Sequence, residues 1–171
     1  VVTAAASGTP PVLNAIGAKE VFLGDTLQFP VSATPTEADA VTLTVSNKPA
    51  TAGFAATNEL GTFTWTGAGP TGVYSVAFYA TDKDGSDSET IGITVYPLPV
   101  MGNITVPAGS SASVPIQSVS GQTYRLEYTL DLATLPVVWT LADSDTGTGG
   151  QITLSDPTPT NTARYYRVTI P

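Results

Sequence analysis

Any chemistry in this chain has to come from carboxylates, hydroxyls and aromatic rings. Its 171 residues include no Cys and no His. That removes histidine acid/base catalysis. It also removes cysteine nucleophiles, disulfides, thiolate zinc sites and iron–sulfur clusters. Two carboxylate pairs have the residue types that glycoside hydrolysis divides between acid and base: Glu37 with Asp39, and Glu127 with Asp131. No constellation of further residues can be assembled around either pair, so the chain reads as non-enzymatic. Asp82-Lys83-Asp84-Gly85 starts like a calcium loop. An EF-hand needs a third Asp or Asn before the Gly and a Glu farther on, and that spacing fails. A hairpin tip accounts for the Asp-Gly better. Asp143-Ser144-Asp145, with glycines after it, reads as a flexible loop.

Aromatic side chains offer the other chemistry, the stacking of sugar rings on exposed faces. Trp65 and Trp139 fall on apolar faces and are expected in the core. Tyr79 and Tyr165 fall on outward faces and are the candidate ligand-binding aromatics. Asn103-Ile104-Thr105 is an N-glycosylation acceptor triplet, meaningful only in a eukaryotic secretory pathway.

The elements that must position these residues are strands. Apolar residues alternate with Thr or Ser at period two almost throughout. Leu27, Phe29, Val31 and Ala33 form one such face; Val41, Leu43 and Val45 form another. Phe63 and Trp65, then Tyr74, Val76, Phe78 and Ala80, then Ile91, Ile93 and Val95 continue the pattern. One dry and one wet face per strand predicts antiparallel sandwiches. Pro30 cannot donate to a ladder and should face a sheet edge or a bulge. Turn residues break the pattern at 35–40, 47–49, 67–72 and 82–85. With a strand near 19–23, about seven strands lie between 10 and 96, the size of an immunoglobulin-like domain.

Tyr96-Pro97-Leu98-Pro99 is a short, stiff connector and marks a domain boundary. The expected organisation is a sandwich at 10–97 and a smaller β-sandwich at 98–171. Strands in the second are expected at 103–106, 112–117, 123–129, 137–141, 151–154 and 164–170, with a mobile loop at 143–150. Val1 to Pro10 reads as a linker or as a strand exchanged with a neighbour's open sheet edge. The chain starts at Val1 without an initiator Met and reads as processed or excised. Its ending, Tyr-Tyr-Arg-Val-Thr-Ile-Pro, suggests a C-terminus closing on a last strand.

Charge narrows the partners. Six Lys and Arg face 14 Asp and Glu, a formal charge of −8. An acidic chain without a basic cluster repels phosphate backbones and anionic membrane surfaces. No apolar run is long enough for a membrane span. All Lys lie in the first domain and all Arg in the second, and most of the acidic excess lies in the first.

Pro11-Val12-Leu13, Ile16-Gly17, Glu20-Val21, Gly24-Asp25-Thr26-Leu27 and Val31-Ser32-Ala33-Thr34 resemble the opening of a bacterial cadherin-like, putative-Ig domain of the dystroglycan type. Gly61-Thr62-Phe63-Thr64-Trp65-Thr66, Gly72-Val73-Tyr74-Ser75-Val76 and Ala80-Thr81-Asp82 continue the resemblance, which covers about 11–96. The second half is similar to small β-domains near the ends of secreted bacterial proteins, through Gly121 to Thr129, Trp139 and Arg164 to Val168. The first resemblance implies calcium held by carboxylates at one end of the sandwich. Glu37 and Asp39 are what remains of the family's Asp-rich turn, and Asp82 matches its usual Asp. Glu37, Asp39 and Asp82 are therefore the candidate Ca²⁺ ligands, in a protein that requires no cofactor otherwise. The resulting expectation is a non-catalytic, extracellular adhesion or spacer module of a bacterial surface or secreted protein. Its partners would be a protein or glycan at the cell surface, or its own edge strands, and neither nucleic acid nor membrane. Two other readings stay open: a filament subunit using strand exchange, and a carbohydrate-binding accessory module of a secreted enzyme.

Overall fold

A computed structural model describes residues 8–107, 111–157, 159 and 163–171. They are all-β, and the chain divides into two compact units, Val1–Leu98 and Pro99–Pro171. Among the described residues no helix is long and apolar enough to cross a membrane.

The described residues of unit 1 form eight strands: β1 (Val12–Leu13), β2 (Lys19–Phe22), β3 (Leu27–Thr34), β4 (Thr42–Ser46), β5 (Gly53–Thr57), β6 (Leu60–Trp65), β7 (Gly72–Thr81) and β8 (Ser86–Tyr96). They form two four-stranded sheets, ordered β1-β3-β6-β5 and β2-β8-β7-β4. The period-two pattern sends Phe29, Val31, Phe63, Trp65, Val76, Phe78, Ile91 and Ile93 into one core. Phe63 stacks on Phe29 at 5.0 Å between centroids, and Phe78 meets Phe63 edge-on at 5.9 Å. Such offset and edge contacts suit the ring quadrupoles. The Trp65 indole donates to Thr51 Oγ1 at 2.9 Å, so its one polar atom is satisfied in the core.

The first two strands lie in different sheets. β1 pairs antiparallel with β3, whereas β2 runs parallel to β8, the one parallel pairing among the described strands. Between them the chain crosses over, with Gly17 at φ 69°. Backbone donors that leave a ladder there need acceptors. The Leu13 N–H donates to Asp87 Oδ2 at 2.8 Å; those of Ile16 and Gly17 donate to Glu89 at 2.7 and 2.9 Å. Pro30 fits because β1 reaches along β3 only to Ala33 and Thr34.

Unit 2 holds β9 (Val100–Met101), β10 (Ala112–Gln117), β11 (Thr123–Thr129), β12 (Thr140–Thr146), β13 (Gln151–Asp156) and β14 (Tyr165–Thr169). Its sheets are ordered β13-β10-β9 and β12-β11-β14. Val114, Ile116, Tyr124, Leu126, Ile152 and Leu154 form the core, with Tyr166, Val168 and Ile170 packed against it. The buried Tyr124 hydroxyl accepts the Val119 N–H at 2.8 Å.

Several local expectations change. Residues 143–146, expected in a loop, complete β12, paired to β11 at Asp143↔Leu126, Ser144↔Arg125, Asp145↔Tyr124 and Thr146↔Thr123. The pairing skips Ala142, a bulge that supplies one extra residue to β12. The expected strand at 103–106 is reduced to one bridge, Thr105 to Ser113. β5, which the alternation does not reveal, pairs along its length with β6.

Candidate functional site

Among the described residues, a cluster of carboxylates with a lysine lies at the pole of unit 1 where the chain enters the domain. Two loops and the entering segment build it. The β7–β8 hairpin tip carries Asp82, Lys83, Asp84 and Gly85, closed by the Asp82 N–H donating to the Gly85 carbonyl at 3.0 Å. Asp82 Oδ1 accepts the N–H groups of Asp84 and Gly85 at 2.8 and 3.0 Å. This is ordinary Asx-turn behaviour, and it holds the Asp82 carboxylate inside the turn. The β3–β4 loop supplies Glu37 and Asp39.

Glu37, Asp39 and Asp84 bring one carboxylate oxygen each to within 4.8 Å of one another. Of the expected ligands Glu37, Asp39 and Asp82, two therefore share a cluster, and the third member is Asp84. The signal for Asp84 was available in the turn chemistry. In Asp-x-Asp-Gly the first Asp satisfies the turn's own donors, which leaves the second to point elsewhere.

A cation already sits in this cluster. Lys83 Nζ lies 2.9 Å from Asp39 Oδ2 and 3.8 Å from Glu37 Oε2, and it bonds Asp84 Oδ2. The hydrogen bond to Asp84, followed by that to Asp39, raises the Lys83 pKa well above its ordinary 10.5. Lys83 is 61% exposed, whereas the Asp84 side chain is only 1% exposed. Asp84 Oδ1 is buried without a hydrogen-bond partner among the described residues. The lid over Asp84 is the entering chain. A Cβ added to Gly8 would lie 1.9 Å from Asp84 Oδ2, so any larger residue there would push the Asp84 carboxylate aside. Pro10 packs on Gly85, the Thr9 N–H donates to Glu37 Oε1 at 3.0 Å, and Thr36 Oγ1 donates to the Thr9 carbonyl. Residues 1–7, the bulk of the expected linker or exchanged strand, lie outside the described residues.

The donor set can be tested against the calcium that the sequence resemblance implies. Ca²⁺ takes six to eight oxygens. Three carboxylates begin such a shell, and the orphaned Asp84 oxygen would belong to it. The position between them is, however, filled by the ammonium of Lys83. A divalent ion and that ammonium cannot share it, since like charges at contact distance repel strongly. With Lys83 in place the residues do not fit the ion.

The remaining candidates are separate. Glu127, half-buried, accepts from Arg167 Nε at 2.7 Å, and the Arg167 guanidinium lies 4.3 Å over the Trp139 ring. Trp139 is therefore half-buried beside a cation, whereas Trp65 is fully buried. Asp131 turns into its own loop, accepting the Ala133 N–H at 2.7 Å and the Thr134 hydroxyl. Those bonds, that of Thr134 first, pull its pKa below 3.8. Glu127 and Asp131 thus face different partners. Tyr165 is 46% exposed on β14; Tyr79 is half-buried, with its hydroxyl 3.4 Å from Ser46 Oγ. The structure places these two tyrosines in different units. Asn103 is exposed.

No protein-family model and no curated protein matches the sequence. Solved structures do match the fold. Domains A168–A170 of titin align at TM-score 0.55 and 13% identity, covering 94% of this chain and 60% of theirs. The I-band fragment I67–I69 of titin aligns at TM-score 0.51 and 12% identity, covering 96% of this chain and 65% of its own. The chain thus spans about three-fifths of the length of these titin fragments. At such identity the likeness establishes the fold: tandem immunoglobulin-like β-sandwiches.

Proposed function

We propose that this tandem pair is a non-catalytic adhesion or spacer module, extracellular, from a bacterial surface or secreted protein. The observation that carries the reading is where the reactive side chains go. Glu37, Asp39 and Asp84 hold Lys83, Glu127 holds Arg167, and Asp131 and Asp82 close turns. Carboxylates engaged in internal bonds stabilise loops and are not available as an acid and base pair. The cadherin-like resemblance of unit 1, the lack of Cys and the Thr-rich outer faces support the extracellular, bacterial setting. The module requires no cofactor, and its partner is a protein or glycan at the cell surface.

A second reading, self-association through edge strands, is favoured by one observation. β14 ends the sheet β12-β11-β14, and its outer edge faces no described strand. Open edges are where strand addition occurs.

Two experiments test the main reading. Antibody raised against the chain should label intact source cells or the medium; confinement to the cytosol overturns the reading. Replacing residues 1–171 in the encoding gene by an unrelated tandem sandwich of equal length separates its two halves. A spacer leaves surface attachment unchanged, and an adhesin loses it. Sedimentation of the purified chain as a monomer removes the self-association reading.

A further inference from the structure

The entry pole of unit 1 combines three observations. Three carboxylates from two loops converge within 4.8 Å. One of them, Asp84, is 1% exposed and has an oxygen with no partner among the described residues. The chain's own ammonium stands between them, within 2.9 Å of Asp39 and 3.8 Å of Glu37. A buried, unpaired carboxylate oxygen is costly and calls for positive charge. The residue that supplies that charge, bonded to the other oxygen of the same carboxylate, is the sequence neighbour of Asp84, so the ammonium is always at hand. Tethering of this kind acts as a high effective concentration.

We infer that Lys83 is a tethered cation that takes the place of a metal ion in the Glu37–Asp39–Asp84 cluster. The pole is metal-independent as built and becomes a hard-cation site only when the Lys83 ammonium is removed. Lys83 bridges the β3–β4 loop to the β7–β8 tip, the cross-link that a bound ion would otherwise supply. Carboxylate oxygens suit Ca²⁺, which prefers oxygen donors and tolerates an irregular shell completed by water. With Lys83 gone, the oxygens freed on Asp84, Asp39 and Glu37 become its ligands. Gly8 and Thr9 seal the same carboxylates from above, so the state of the cluster is felt by the entering chain.

The test uses the whole 171-residue chain, wild type and Lys83→Met, melted in chelator and in roughly millimolar CaCl₂, where extracellular calcium sites fill. The wild type should melt at the same temperature in both. Lys83→Met should melt lower in chelator and recover with Ca²⁺, and calorimetry should find Ca²⁺ binding at least about tenfold tighter than in the wild type. A calcium response in the wild type equal to that of the variant overturns the inference, as does a variant indifferent to Ca²⁺. Should Lys83→Met fail to fold, wild-type acetylation gives the answer. With Lys83 as the resident cation, its acetylation by a dilute amine-reactive ester is unchanged by Ca²⁺, relative to Lys19 and Lys48. A calcium-induced rise at Lys83 alone shows displacement and overturns the inference.

Discussion

At the scale of single residues, position decides what each charged or small side chain does. Asp131 and Asp84 are both loop aspartates, yet one closes its own turn and the other faces a lysine. For Asp131 the folded carboxyl titrates below 3.8. Its contribution is present above that value and lost as pH falls through the lower folded one. The Ala133 and Thr134 amide signals should therefore shift in an NMR titration with a midpoint under 3.8, and Asp131→Asn should abolish the shift. Gly147 has a steric role. A Cβ there would stand 2.0 Å from the Val119 carbonyl oxygen, while its own N–H donates to the Gln122 carbonyl at 2.7 Å. Backbone would have to move to admit alanine. Gly147→Ala is expected to lower the stability of unit 2 by about 1–3 kcal/mol in a denaturant titration, the usual cost of overpacking.

At the scale of elements, the strands legible in the sequence are those whose alternation faces a core. Residues 112–117 and 123–129 read as strands because Val114, Ile116, Tyr124 and Leu126 alternate into the interior. Of β12 only Thr140 and Leu141, the end of the strand expected at 137–141, were legible, since Asp143-Ser144-Asp145-Thr146 has the composition of a loop. Its ladder with β11 uses backbone groups, and Asp143 additionally accepts the Ser155 N–H at 2.7 Å. The bulge at Ala142 also breaks the period that would have identified it. β5 was hidden for another reason: of its residues, only Phe54 packs against the core. The acidic pole was half legible. Its loop residues Glu37 and Asp39 stood out, but the choice between Asp82 and Asp84 depended on hydrogen bonds within the turn. The end of β13 and the start of β14 carry a further polar group that composition conceals. Asp156 is buried, bonds Arg164, and accepts the Tyr166 hydroxyl at 3.0 Å. The Arg164 guanidinium lies 4.1 Å over the Tyr128 ring. Burial, then the hydrogen bond to Asp156, raises the Tyr166 pKa. Breaking this pair strands a buried charge, so Asp156→Ala should cost about 3–5 kcal/mol. Tyr166→Phe should cost about 1 kcal/mol, as one hydrogen bond is lost. Chemical denaturation of the two variants checks both figures.

At the scale of the whole molecule, each unit closes a core of its own on either side of Leu98 and Pro99. Stability should then be separable. Phe63→Ala is expected to destabilise unit 1 by about 3–5 kcal/mol and Leu126→Ala to destabilise unit 2 by about 2–5 kcal/mol. Each should move one of two calorimetric transitions and leave the other in place; a single shared transition would show that the units fold as one. The parallel pairing of β2 with β8 has a mechanical meaning. Those strands lie near the entrance and the exit of unit 1, and they run side by side in the same direction. Tension that reaches β2 past β1 on one side and β8 from its C-terminal side therefore slides β2 along β8. Its ladder bonds are loaded together in shear, whereas an antiparallel pair of end strands would unzip one bond at a time.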